Sequence, residues 1–157
     1  MLETTFPFDL DRRLGRLRTF HYSNNSKRFE LFSAFHLPAN EHLVASTVAD
    51  PLAMETSLGR VLGDRRVLYK YLNRNMLSVA STGQSSNGVP FVKIYVLDAV
   101  KGAVLASMVH ENSAGPVQLV QAENWVVYAF YNTKERTQQI DVMEFYESSE
   151  PDMWKNG

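Results

Sequence analysis

The segment Gly59–Asn75, GRVLGDRRVLYKYLNRN, has the most unusual side-chain pattern in the chain. It sets Arg60, Arg65, Arg66, Lys70 and Arg74 among Leu62, Val67, Leu68, Tyr69, Tyr71 and Leu72. Cations interleaved with aromatics suit phosphate, lipid headgroups or an acidic partner surface. The plainer reading is a strand with one solvated face, on which Asp64 pairs with a neighbouring arginine. Gly59 and Gly63 bracket Arg60, which predicts a tight backbone feature before the strand. No Gly-Lys-Ser/Thr ending follows, so the segment is not a phosphate-binding P-loop.

Other residue types with chemical potential form no constellation. The four histidines, His21, His36, His42 and His110, lie at no metal-ligand spacing, and neither HxxH nor HExxH occurs. GxSxG is absent, and Ser78, Ser81 and Ser107 sit in ordinary strand patterns. Carboxylate pairs such as Asp9/Asp11 and Glu147/Glu150 fall near turns or the chain end, where solvated charge is expected. Asn24-Asn25-Ser26 is an N-glycosylation sequon at the tip of an expected hairpin. Trp125 and Tyr128, beside Asn124, are expected to pack between blades of a repeated fold.

Composition narrows the classes further. Of 157 residues, 45% are hydrophobic and 11% aromatic, which excludes a disordered acidic tail. Sixteen Lys and Arg against seventeen Asp and Glu leave a net charge of −1, which speaks against nucleic acid as partner. The absence of cysteine removes disulfides, thiolate zinc sites and Cys nucleophiles. The start, MLETTFPFDLDRR, has no apolar stretch of signal type. Runs such as Trp125–Phe130 fall far short of the ~18 residues of a membrane span.

The elements that must position these residues read as β-structure. Val89–Asp98, Trp125–Tyr131 and Gln139–Glu147 are rich in β-branched and aromatic residues. Turn signals separate them at Asn73–Asn75, Ser85–Gly88 and Asp98–Gly102. In the last, Asp98 can accept local backbone bonds and Gly102 supplies a positive φ. Helical periodicity is weak; the best helical candidate is Met54–Leu62. Met76–Thr82 overlays Trp125–Tyr131, and Val89–Asp98 overlays Gln138–Glu147, both at an offset of 49 residues. The Asp-xxx-Gly turn also recurs, as Asp11…Gly15 and Asp98…Gly102. Repeats of ~40–50 residues with about four strands mark propeller blades. The expected architecture is therefore all-β, with antiparallel β-propeller-like blades in an incomplete ring. Residues 1–38 would give a hairpin of an earlier blade, 39–64 a connecting loop, and 65–110 a complete blade. Residues 115–147 would form most of the next blade and 148–157 a tail. A chain this short cannot close a ring, so it is expected to be a segment of a longer protein.

GRVLGDRRVLYKYLN (Gly59–Asn73) and GPVQLVQAENWVVYAFYNTKERTQQIDVMEFYE (Gly115–Glu147) resemble subunit 1 of the endoplasmic-reticulum membrane protein complex. Tyr95–His110 fits the same family's strand–turn–strand segment, and Asp9–Pro38 matches it more loosely. Departures are Arg74 where the family usually has Pro, Arg66 where Ser is common, and Gln118 and Gln121 where His is frequent. Asp50–Ser57 looks like a loop of this chain's own. The resemblance implies a lumenal propeller with quinoprotein-dehydrogenase-like repeats, anchored by a transmembrane helix outside this chain. It further implies a scaffold for other subunits of a complex that inserts transmembrane helices, reaching membrane-protein clients only indirectly. No catalytic, cofactor or metal residues carry over.

The residues that match the family motifs are Gly59, Gly63, Asp64, Arg65, Tyr69, Lys70 and Asn73, then Gly115, Pro116, Asn124, Trp125, Tyr128, Asn132 and Lys134. With Arg60, Asp98 and Gly102 they are expected to hold blades in register and shape a partner surface. The alternatives are a soluble interaction propeller and a quinone-dependent dehydrogenase. The dehydrogenase would need a calcium site and cofactor-stacking groups that the sequence does not display.

Overall fold

In the computed structural model, which describes residues 8–50, 52 and 54–147, the named elements are all strands. They are β1 (Phe8–Asp11), β2 (Arg16–Ser23), β3 (Arg28–His36), β4 (Glu41–Val48), β5 (Gly59–Val61) and β6 (Val67–Tyr69). Then come β7 (Met76–Gln84), β8 (Pro90–Asp98), β9 (Ala103–Glu111), β10 (Ser113–Ala122), β11 (Trp125–Asn132) and β12 (Thr137–Glu144). Three antiparallel sheets result, in the orders β1-β2-β3, β4-β7-β8-β9 and β10-β11-β12, with β5-β6 as a separate ribbon. Among the described residues no helix is long and apolar enough to cross a membrane.

The sheets are stacked, with the four-stranded one in the middle. Side chains alternate faces along a strand, and in β7 and β8 both faces are apolar. Met76, Ala80, Val92, Ile94 and Val96 point to one side, where they meet Val126, Tyr128 and Phe130 of the third sheet. Leu77, Val79, Tyr95 and Leu97 point to the other side, where they meet Leu17 of β2. Phe35 and Leu37 pack against this second core, and the Phe35 ring stands edge-on to Tyr95 at 5.4 Å. A large aliphatic side chain so buried contributes about 1.5–3 kcal/mol.

Several expected boundaries shift. The range 39–64, read as a connecting loop, contains β4 and β5. β4 was hard to see because EHLVASTV mixes polar and small residues and carries a bulge between Leu43 and Ala45. The stretch at 65–69 does not join the blade; Val67 and Tyr69 pair with Val61 and Gly59 in the ribbon. The first sheet has three strands where a hairpin was expected. The helical candidate Met54–Leu62 is irregular up to Leu58 and then enters β5. The tail at 148–157 lies outside the described residues.

The Asp98 turn has the expected chemistry. Asp98 Oδ1 accepts the N–H groups of Val100 (2.9 Å) and Lys101 (3.0 Å), and Gly102 N–H donates to Asp98 O at 2.8 Å. Gly102 has φ 64°, and a Cβ there would lie 2.2 Å from Ser33 Oγ. The turn docks on the first sheet, since Thr19 Oγ1 donates to Val100 O and Ser33 Oγ to Lys101 O. Three other hairpin loops place a polar acceptor at the same position and a positive φ four residues later: Asp11…Gly15, Ser23…Lys27 and Asn132…Arg136.

Gly102 and Gly63 therefore respond oppositely to a methyl group. Gly63 has nothing within 4 Å of its Cβ position and no positive φ. Gly102→Ala is expected to destabilise by more than ~1 kcal/mol, and Gly63→Ala to be neutral or stabilising by up to ~1 kcal/mol. Thermal unfolding of the intact propeller measures both.

Candidate functional site

The two segments that share the family resemblance meet at one end of the sheets. The β5-β6 ribbon is inserted between β4 and β7 and runs across the edge of the third sheet. Tyr71 N–H donates to Phe145 O (3.0 Å) and Glu147 N–H to Tyr69 O (2.8 Å), while Lys70 bridges to Tyr146. This backbone seam puts Lys70 beside the β10-β11 turn, where Glu123 holds φ 47°. Lys70 Nζ donates to Glu123 Oε2. Thr56 donates to Glu123 Oε1 twice, from its N–H (2.9 Å) and its hydroxyl (2.8 Å). Both side chains of the ion pair are only 13% exposed. The Lys70 hydrogen bond, followed by the two from Thr56, lowers the Glu123 pKa to about 2. Next to it Asn124 is buried and donates from Nδ2 to Phe145 O at 2.8 Å.

Three further polar clusters lie between or within the sheets, and of their members only Tyr128 was among the expected site residues. Gln121, buried on β10, accepts from Ser78 Oγ (2.6 Å) and donates to Met76 O (3.0 Å), so one amide stitches the third sheet to the middle one. His110 Nε2 lies 3.0 Å from Tyr128 Oη, and its ring packs on Phe130 with centroids 4.4 Å apart. Burial lowers the His110 pKa, against a weaker opposing pull from Asp141, whose Oδ2 is 3.6 Å from Nδ1. Burial pushes Tyr128 up to about 12. Within the middle sheet Glu41 accepts from Ser81 Oγ (2.5 Å) and from Tyr95 Oη (2.9 Å). Burial and the Glu41 carboxylate raise the Tyr95 pKa. Glu41 carried no sequence signal, because a lone carboxylate after Pro38-Ala39-Asn40 looks like a turn residue.

Most of the expected site residues fall into three groups. Gly59, Tyr69, Lys70, Asn73, Asp98 and Asn124 gather at the latched end. There a Cβ on Gly59 would sit 2.7 Å from Val67 Cγ1. Asn73 Oδ1 accepts Asn75 N–H (2.9 Å), and Asn73 Nδ2 reaches Asp98 Oδ2 (3.4 Å). Arg60, Asp64 and Arg65 lie exposed on the ribbon, where Asp64 pairs with Arg66 at 2.6 Å. The strained position in that turn is Arg65, at φ 68°, and not Gly63. Gly115, Pro116, Asn132 and Lys134 lie at the opposite end. Gly115 and Pro116 occupy the register shift of β10, and Asn132 Oδ1 caps the β11-β12 loop by accepting Lys134 N–H at 3.0 Å.

Trp125 and Tyr128, both expected to pack between blades, lie three residues apart on one strand and face opposite sides. Tyr128 is 2% exposed in the core, whereas Trp125 is 45% exposed on the outer face. At the Gly115 end a groove of about 540 Å³ is lined by Asn40, His42, Gly83, Phe91 and Ser113 among others, and His42 is its one titratable side chain. Among the described residues no group of three or more His, Asp or Glu could hold a metal ion.

Residues 2–156 match the family model described as ER membrane protein complex subunit 1, second beta-propeller. The chain is 36% identical over 152 residues to ER membrane protein complex subunit 1 of Xenopus laevis, covering 94% of this chain and 15% of that protein. It is 46% identical over 95 residues to the Gallus gallus protein of the same name, covering 60% of this chain and 10% of the relative. It is 31% identical over 118 residues to that of Saccharomyces cerevisiae, covering 73% and 15%. The chain thus spans 10–15% of the length of these curated relatives.

His110 and Glu123 both bind protons more weakly folded than unfolded, so acidification must cost stability. The His110 contribution is present above about pH 6.5 and fades as pH falls below that value; the Glu123 contribution fades from about pH 4.3 towards 2. His110→Gln is expected to flatten the upper part of the profile of unfolding midpoint against pH, and Glu123→Gln the lower part. At neutral pH Glu123→Gln should cost about 1.5–3 kcal/mol, the range for hydrogen bonds to a charged group.

Proposed function

The chain belongs to the family of ER membrane protein complex subunit 1, within its second β-propeller, and on that premise we propose that it is a non-catalytic scaffold segment on the lumenal side of the endoplasmic-reticulum membrane. In this reading it holds other subunits of the complex in place while transmembrane helices enter the bilayer. One observation carries it. Buried and half-buried polar side chains are engaged in bonds that tie the sheets and the ribbon together: Lys70 with Glu123, Gln121 with Ser78, and His110 with Tyr128. Such bonds make a rigid support, and a rigid surface loses little conformational entropy when a partner docks.

The ribbon offers exposed side chains to a partner. Arg60 and Arg65 are exposed, as are Val61 (71%), Val67 (42%) and Tyr69 (56%). Val61, Val67 and Tyr69 share one face of the ribbon, because Val61 pairs with Val67 and Gly59 with Tyr69. Recognition would rest on shape and charge, with no chemical step.

In the full-length protein, the combined substitutions Arg60→Glu, Arg65→Glu and Tyr69→Ala are expected to lower co-purification of other subunits about tenfold, the effect of ~1.4 kcal/mol. Insertion of a tail-anchored test protein should fall in parallel. Full recovery of the subunits with unchanged insertion would overturn the reading.

A further inference from the structure

The β2-β3 hairpin ends in a loop, residues 24–27, that carries the chain's Asn-x-Ser triplet on exposed backbone. Lys27 N–H donates to Ser23 O at 2.9 Å and Lys27 holds φ 56°, so the loop has a defined shape. Directly beneath it Tyr22 and Phe29 form a cross-strand pair, 51% and 62% exposed. Their rings meet edge to face with centroids 5.5 Å apart. Asn24 is the first residue of the loop above this pair. Two exposed aromatic rings near an acceptor asparagine can take a cover. The C–H face of a pyranose supplies one, because its polarised hydrogens are attracted to the negative face of a ring.

We propose that Asn24 is N-glycosylated and that the Tyr22–Phe29 pair is the platform on which the first sugars rest. This goes beyond the scaffold role but rests on the lumenal placement proposed above. In the transfer, Asn24 Nδ2 bonds to the anomeric carbon of an oligosaccharide carried on a polyprenyl pyrophosphate. The bond from that carbon to the pyrophosphate oxygen breaks, the amide gives up one proton, and polyprenyl pyrophosphate leaves. Ser26 completes the acceptor triplet. In the folded hairpin its hydroxyl donates to Glu30 Oε1 at 2.6 Å, so transfer precedes closure of the hairpin.

The test uses the full-length protein from cells, deglycosylated enzymatically in heavy-oxygen water so that each former glycan site becomes a labelled aspartate. Label at Asn24 in the peptide Thr19–Lys27, lost in Asn24→Gln and in Ser26→Ala, is the expected result. A control, Gln84→Asn, completes an acceptor triplet with Ser85 and Ser86 at the foot of another exposed hairpin loop. Label at position 84 without label at Asn24 overturns the proposal and leaves the lumenal reading standing; label at neither overturns both. The platform is read separately. Glycosidase acting on the native protein should release the Asn24 glycan faster from Tyr22→Ser and Phe29→Ser than from the unsubstituted chain. Equal release rates overturn the platform.

Discussion

Strands β7 and β8 have no side that faces water, and the rest of the structure follows from that. Their alternate residues go to two separate cores, Met76, Ala80, Val92, Ile94 and Val96 to one and Leu77, Val79, Tyr95 and Leu97 to the other. Two apolar faces require two covers, and the first and third sheets supply them. Neither outer sheet is covered on its far side by anything among the described residues. The third exposes Val120, Trp125, Ile140 and Val142 there, and in a propeller such a face is the contact to a further blade. The all-β, unclosed stack therefore agrees with the propeller family to which the chain belongs.

Apolar packing alone would let stacked sheets slide, because it has little directional preference. The buried polar bonds remove that freedom. Gln121 fixes β10 against β7 by pairing with both a side chain and a backbone carbonyl. Lys70 and Thr56 fix the ribbon and the segment before it to the β10-β11 turn through one carboxylate. Thr19 and Ser33 fix the first sheet to the β8-β9 turn. A small shift of one sheet against another would break these directional bonds, and this makes the arrangement single-valued. A support of this kind suits the proposed scaffold role.

The strands with the strongest apolar character were legible in the sequence: β7, β8 and β11 lie where the composition and the 49-residue offset put them. β4 was not, because its buried and half-buried positions include Glu41, Ala45, Ser46 and Thr47 while Val44 and Val48 are exposed, and its bulge breaks the alternation. Ribbon strands β5 and β6, three residues each, are too short to show a period at all. The hairpin loops teach a similar lesson. Two of them announced themselves as Asp…Gly, yet Ser23…Lys27 and Asn132…Arg136 reach a positive φ at the same place with a side chain attached. An acceptor side chain that holds the loop can offset the strain at such a position.

By itself the sequence determined that the chain is β-structure, that Asp98 and Gly102 reverse it, and that the segments Gly59–Asn73 and Gly115–Glu147 carry a family's pattern. Each of these depends on neighbours along the chain, which is why a linear reading reaches them. Only the tertiary structure decided that Lys70 meets Glu123, that Glu41 is buried under Tyr95, and that Tyr128 faces in while Trp125 faces out. Those outcomes depend on which sheet covers which face and on the register between strands distant in sequence, and neither quantity is written in local composition.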